Sequence, residues 1–277
     1  MNKICDVAKL SEIARNIRID IIRSLAQAGS GHLGGSLDLA DIFTVLYFNE
    51  MNFDPSQLNN ENRDRLILSI GHVAPVLYTT LAHAGFFPVE ELATLRKMGS
   101  RLQGHPCKET GLPGIEASTG SLGQGLSLAT GLALAAQHDN LSHRTYCILG
   151  DGELQEGQIW EAAMSAAHYN LNNLTAIVDR NHCQIDGYTH QVMNLDPLYK
   201  KWSSFGWKVI MCDGNDFHEI LKAFYIARQS SNQPSVIIAQ TTMSKGVPSI
   251  ENDYTWHGKA PSPEQAREFI AEIMNVR

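Results

Sequence analysis

The sequence predicts an α/β fold in three layers, α/β/α, with a mostly parallel central sheet. Two features carry that expectation. Short apolar runs at residues 65–69, 145–149, 174–178, 207–212 and 235–240 are continuous instead of alternating, as suits strands covered on both faces. Segments of helical periodicity lie between them and are long enough to cross from one parallel strand to the next. In such folds ligands bind beyond the carboxyl ends of the strands, so those ends are where chemistry is expected.

Each element has its own signal. Residues 7–28 read as a helix, because Leu10, Ile13, Ala14, Ile17, Ile21 and Leu25 recur at three- and four-residue steps. Residues 38–51 read as a second helix with Asp38 as its N-cap. The strand at 65–69 is followed by helical segments at 73–84 and 88–97, with Pro88 suited to a first turn. A loop containing glycine and proline covers 99–117, and a helix follows over 122–138. The strand at 145–149 runs into Gly150-Asp151-Gly152 and an alanine-rich helix at 158–169. After the strand at 174–178, the strands at 207–212 and 235–240 flank a helix at 216–229, and a helix at 264–274 comes last. There is no internal repeat and no low-complexity segment.

Composition removes several function classes. The 277 residues suit one large domain or two small ones, and 43% hydrophobic against 18% charged residues describes a chain that buries a core. With 22 Lys+Arg against 29 Asp+Glu, a net charge of −7 and no basic run, the chain lacks the footprint of a dedicated nucleic-acid binder. An anionic ligand stays open, since a metal ion and helix N-termini supply local positive charge. The most apolar stretch, 125–136, is shorter than the ~20 apolar residues of a membrane span, and no secretory pattern is visible at the N-terminus. Cys5, Cys107, Cys147, Cys183 and Cys212 are odd in number and form no CxxC, which argues against a disulfide framework or zinc site and for a cytoplasmic location.

Gly150-Asp151-Gly152 alone is a common turn. Its context adds Asn181, thirty residues further on and just past the next strand. Adjacent parallel strands then present a carboxylate and an amide oxygen at one sheet edge, hard ligands suited to Mg²⁺ or Ca²⁺. Backbone carbonyls, water and a ligand's phosphates complete such a shell. The flanking glycines leave room for a bulky anion, and the helix after them points its free N–H groups and positive dipole end at it. No GxxxxGK[ST] and no GxGxxG occurs, which weakens a generic nucleotide reading.

The block from Gly150-Asp151-Gly152-Glu153 to Gly157, running on to Asn181, resembles the thiamine diphosphate-binding motif. Ser30-Gly31-His32, Arg63-Asp64-Arg65 with Gly71-His72, Gly104-His105-Pro106, Thr119 to Gly125 and Trp256-His257-Gly258 match, in order, segments of the transketolase family's N-terminal domain. The resemblance covers about residues 15 to 260 and is similar to the N-terminal section of a split transketolase. It implies the thiamine diphosphate-binding fold. It also makes 1–277 one diphosphate-binding domain, with the tail from about residue 242 as its extension.

The resemblance implies roles residue by residue. Asp151 and Asn181 match the family's metal-binding side chains, and the carbonyl of Cys183 falls in the metal shell, its thiol being a buried side chain. Gly150, Gly152 and Glu153 fall at the diphosphate, and Gly120 and Leu122 against the aminopyrimidine. His32, His72, His105 and His257 match histidines that line cofactor and sugar, where imidazole exchanges protons with hydroxyls near neutral pH. Glu156 matches an acid near the contact between cofactor-binding domains, and also reads as a helix-start glutamate. Lys245 faces the diphosphate or is a solvated loop lysine. Leu33 and Ser121 stand where the family often has proline, which bears on substrate preference.

The family activates its cofactor with a glutamate on a second, pyrimidine-binding domain. The segment after residue 240 is too short for another α/β domain of ~100 residues. The expectation is therefore one subunit of a two-chain α₂β₂ enzyme. It moves a two-carbon ketol unit from a ketose, usually phosphorylated, to an aldose, with its partner supplying the glutamate. Alternatives are a subunit related to 1-deoxyxylulose 5-phosphate synthase or to 2-oxo acid dehydrogenases, and a non-catalytic cofactor-holding module.

Overall fold

A computed structural model describes residues 3–275. The chain opens with α1 (Val7–Ala28), capped by Asp6, whose carboxylate accepts from the Ala8 N–H, and closed by Gly29 in the left-handed region. Then come α2 (Gly34–Asp38), α3 (Ala40–Val45, widening into a π turn over Leu46–Glu50), β1 (Arg65–Leu68), α4 (Ala74–His83) and α5 (Gly125–His138). The middle of the chain gives β2 (Thr145–Gly150), α6 (Gly157–His168), β3 (Leu174–Arg180), the short hairpin β4 (Cys183–Gln184) and β5 (Gly187–Tyr188), α7 (Thr189–Val192) and α8 (Leu198–Ser204). It ends with β6 (Lys208–Asp213), α9 (Phe217–Arg228), β7 (Ser235–Gln240) and α10 (Pro263–Asn275).

The five main strands form one parallel sheet in the order β1-β2-β3-β7-β6, and the strands divide their side chains between two cores. Leu66, Leu68, Tyr146, Ile148, Ile177 and Ile237 pack with residues of α1, α3, α4, α9 and α10. Their neighbours Ile67, Cys147, Leu149, Ala176, Val178, Val236 and Ile238 pack with α5, α6 and α8. Successive side chains point to opposite faces of a sheet, so an uninterrupted apolar run is what two helix layers demand. This is the three-layer α/β architecture the sequence predicts.

Several boundaries differ from the sequence reading. Asp38 is not an N-cap: the helical segment starts at Gly34, and Asp38 closes α2 with its side chain buried. Poor helix propensity hides this start, yet packing there is close: a Cβ on Gly34 would displace the Met243 side chain, and one on Gly35 would lie 2.8 Å from Val73 Cγ1. Residues 88–97 form only a 3₁₀ stretch, Val89–Thr94, in which Leu92 alone is buried, too little apolar surface to anchor a longer helix. The helix expected from residue 122 starts at Gly125, since Gly123 has φ +87°. The hairpin and the two short helices between β3 and β6 carry no periodic signal long enough to be read.

Candidate active site

A cavity of about 440 Å³ opens at the carboxyl ends of β1, β2 and β3. The register pairs Gly150 with Asp179, which brings Asp151 and Asn181 to one edge of the sheet from adjacent strands. Of the residues singled out in the sequence, His32, His72, His105, His257, Gly120, Leu122, Gly150, Asp151, Gly152, Glu153, Glu156, Asn181 and Cys183 all line it. Lys245 does not. It lies in the turn after β7, with its ammonium 4.0 Å from Glu251.

The floor of the cavity is a buried polar network. Asp151 Oδ1 accepts from the Gly152 N–H at 2.7 Å, and Oδ2 accepts from the His182 N–H at 2.8 Å and from Arg180 Nη1 at 3.1 Å. Burial raises the Asp151 pKa, and the Arg180 guanidinium and the two N–H donors oppose it. Asn181 donates through Nδ2 to Asp38 and to Asp179, both at 3.0 Å, and its Oδ1 accepts from the Cys183 N–H at 2.9 Å. Thr241 donates to the other oxygen of Asp179. Asp38 and Asp179 are both raised, chiefly by burial. Burial likewise pushes the Cys183 thiol up to about 12.

Glu153 does not present a free carboxylate to the cavity. Its oxygens accept from the Gly123 N–H at 2.8 Å, the Gly150 N–H at 3.2 Å and the Ser69 hydroxyl. It thereby ties the turn after β1, the loop before α5 and the end of β2 together, and burial raises it to about 6. Glu156 is exposed at the mouth, as the N-cap residue of α6. The Gly152 N–H, expected to face an anion, is engaged by Asp151 in this structure.

Another part of the cavity lining is made of imidazoles. The rings of His32, His72 and His257 form a triangle with centroid separations of 4.9, 5.3 and 6.0 Å. Burial, then His257, Arg96 and His105, hold His32 down to about 4, and burial with the neighbouring histidines holds His72 to about 3. Burial also lowers His257. These rings are therefore neutral near pH 7, each with one N–H and one lone pair. Nδ1 of His32 and of His257 has no partner among the described residues. His105 is more exposed and packs over Gly120, which has φ +136° and where a Cβ would sit 2.7 Å from the imidazole ring.

The donor chemistry fits a hard cation. Asp151 and Asn181 offer oxygens at one edge, and among the described residues no group of three or more His, Cys, Asp or Glu side chains makes a metal site by itself. Any cation here draws further ligands from the backbone and from its anion. Residues 9–271 match the family described as transketolase, thiamine diphosphate binding domain.

The chain belongs to the transketolase family. It is a transketolase subunit that carries the thiamine diphosphate-binding domain. An apulose-4-phosphate transketolase subunit of Phocaeicola vulgatus is 40% identical over 91% of this chain and 89% of its own length. The 6-deoxy-6-sulfo-D-fructose transketolase subunit SqwG of a Clostridium species is 42% identical over 95% and 96%. The transketolase structure from Leishmania mexicana superimposes with a TM-score of 0.90 at 30% identity, over 98% of this chain and 42% of that one. The chain thus spans less than half of the solved transketolase but nearly all of the relatives named as subunits.

Sequence reasoning missed Asp38, Asp179 and Arg180. Asp179 had a signal, an acid continuing the apolar run LTAIV, and Arg180 beside it had the same one. Asp38 had none that pointed to the site, since its partner Asn181 is 143 residues away.

Proposed function

We propose that this chain holds thiamine diphosphate with Mg²⁺ or Ca²⁺ and works only with a separate C-terminal, pyrimidine-binding subunit. The pair forms an α₂β₂ transketolase that moves a two-carbon ketol unit from a ketose phosphate to an aldose. The observation that carries this reading is one cavity with two chemically distinct ends: oxygen ligands at Asp151 and Asn181, and neutral imidazoles at His32, His72 and His257. When bound, the cofactor supplies the nucleophilic carbon that carries the ketol unit between sugars.

The chain's residues have the remaining tasks. Asp151, Asn181 and the Cys183 carbonyl hold the metal. Gly150 and Gly152 admit the diphosphate, and Gly120 and Leu122 border the aminopyrimidine. His32, His72, His105 and His257 bind sugar hydroxyls and pass protons, a task for which a neutral imidazole is both donor and acceptor. Glu156, exposed at the mouth, meets the partner. Glu153 braces the diphosphate end, and Lys245 is a solvated loop residue.

The chain is one diphosphate-binding domain, and its tail from about residue 242 belongs to it. That tail carries His257 to the cavity, and its α10 packs against α1. Among the described residues no helix is long and apolar enough to cross a membrane, and the cysteines are unpaired thiols, which supports a cytoplasmic location. Ketol transfer measured with the purified chain alone and with its partner tests the proposal. Activity is expected only from the pair, and full turnover by the chain alone overturns it.

A further inference from the structure

We infer that Asp38 is a positioning residue for Asn181: its carboxyl oxygen takes one amide hydrogen and so turns the amide oxygen toward the metal position. This role rests on the proposed function for the existence of that metal site. Its own support is geometric. The Asn181 amide nitrogen has two hydrogens, and both are used, one on Asp38 Oδ2 and one on Asp179 Oδ2 at 3.0 Å each. The oxygen then has a single way to face, past the Cys183 N–H at 2.9 Å and into the cavity wall. A flipped amide would set its NH₂ against the Cys183 N–H and its oxygen against two carboxyl groups. The hydrogen-bond network thereby determines the orientation.

Apart from Asn181, the Asp38 carboxyl has only the Leu39 N–H and the Arg18 guanidinium as favourable neighbours. It is wholly buried at the end of the short helix α2, and its Oδ1 has no hydrogen-bond partner among the described residues. Burying a carboxyl group with one oxygen unsatisfied opposes folding, and an apolar side chain of similar size would remove that penalty. The contact that gives the position a purpose is the one to Asn181. The nearby Gly35 fits this role. Gly35 lines the cavity, and a Cβ built on it would stand 3.9 Å from Asp38 Oδ1, so Asp38 lies directly behind the cavity wall. Groups that orient a metal ligand typically change metal affinity by about 10–100-fold when removed, without touching the metal.

The test compares Asp38→Leu, Asp38→Asn and Asp151→Ala with the unaltered full chain, each assembled with its partner subunit. Free Mn²⁺ is titrated by its electron paramagnetic resonance signal in the presence of saturating thiamine diphosphate. Asp38→Leu loses the acceptor and is expected to weaken Mn²⁺ binding at least about tenfold, while its thermal midpoint stays level or rises. Asp38→Asn keeps an acceptor oxygen and is expected to stay within about threefold of the unaltered chain. Asp151→Ala is expected to abolish binding. If Asp38→Leu binds Mn²⁺ normally while Asp151→Ala does not, the positioning role falls and the metal site stands. If Asp38→Asn is as weak as Asp38→Leu, or if Asp38→Leu melts well below the unaltered chain, the residue is structural and the inference is wrong. If the unaltered chain binds no Mn²⁺, or Asp151→Ala binds it unchanged, the metal-site reading fails and takes this inference with it.

Discussion

The two ends of the cavity solve opposite problems. At the Asp151 end, charge is buried and nearly every group is engaged: Arg180, two backbone N–H groups, Asn181 and Thr241 all have partners. At the histidine end, three rings sit close together with no carboxylate bonded to any of them, and two of their buried nitrogens have no partner among the described residues. The first end is rigid and preorganised, built to hold. The second keeps hydrogen-bonding capacity in reserve, built to exchange. Proximity to one sheet edge is common to both, so it is the partners of each side chain, and not position alone, that divide the labour.

The sharpest way to break this contrast is Asp151→Ala. It removes the proposed metal ligand and leaves Arg180, 3% exposed, with only the solvent-facing Asp196 as its carboxylate partner. Stability in urea is expected to fall by about 3 kcal/mol, the scale for unpairing a buried ion pair. Stabilisation by Mg²⁺ with thiamine diphosphate is expected to vanish as well. A variant that stays stable and still responds to the cofactor would mean the charged end is not a holding site.

Next in size is His72→Asn in the partnered enzyme. Loss of a general acid–base group is expected to lower kcat about 100-fold, with the metal titration unchanged. If metal affinity fell in step with kcat, the two ends would not be separable.

A smaller effect separates the ends by pH. In the unfolded chain a histidine takes up its proton below about pH 6.5, whereas His32 and His72 in the fold hold out to about 4 and 3. Between those limits the unfolded state binds more protons, so these rings make stability fall as pH is lowered from about 6.5 toward 3. The buried carboxyls Asp38, Asp151 and Asp179 act with the opposite sign. Their raised pKa values give a contribution present below the ordinary aspartate range and lost as pH rises through their folded values. Thermal melts from pH 7 to pH 4 should therefore show a shallower decline in His72→Asn than in the unaltered chain. A slope that did not change would show that His72 is protonated normally in the fold.

The least effect is expected from Lys245→Ala. The lysine pairs loosely with Glu251 at a solvent-facing turn, so stability should move by less than about 0.5 kcal/mol and cofactor affinity by less than about twofold. A large loss of affinity, measured by calorimetry, would return this residue to the diphosphate end.

Much of this is legible in the sequence. β1, β2, β3 and β7 could be read because they are buried on both faces, whereas the edge strand β6 leaves Met211 to solvent and was read from its apolar composition alone. Gly150-Asp151-Gly152 and Asn181 could be read because strand ends in a parallel sheet align, so a fixed spacing becomes a spatial pair. Glu153 shows the limit of that reading. Its place in the motif is plain, but whether its carboxylate meets a ligand or three protein donors depends on loops from β1 and α5. The 38–51 helix was misplaced for a similar reason. Local propensity penalises Gly34 and Gly35, while the close packing of Met243 and Val73 disfavours a larger side chain there.

The sequence by itself determined the layers of the fold, the sheet edge that carries chemistry, and the family through its ordered motifs. Periodicity and spacing report what a residue's near neighbours in the chain must do, and those features are local. Only the tertiary structure decided which histidines meet, that Lys245 stands outside the cavity, and that Asp38 reaches Asn181 across 143 residues. A hydrogen bond between segments so far apart exists only once the helix layer of α2 has closed over the sheet. No pattern confined to either segment encodes that closure.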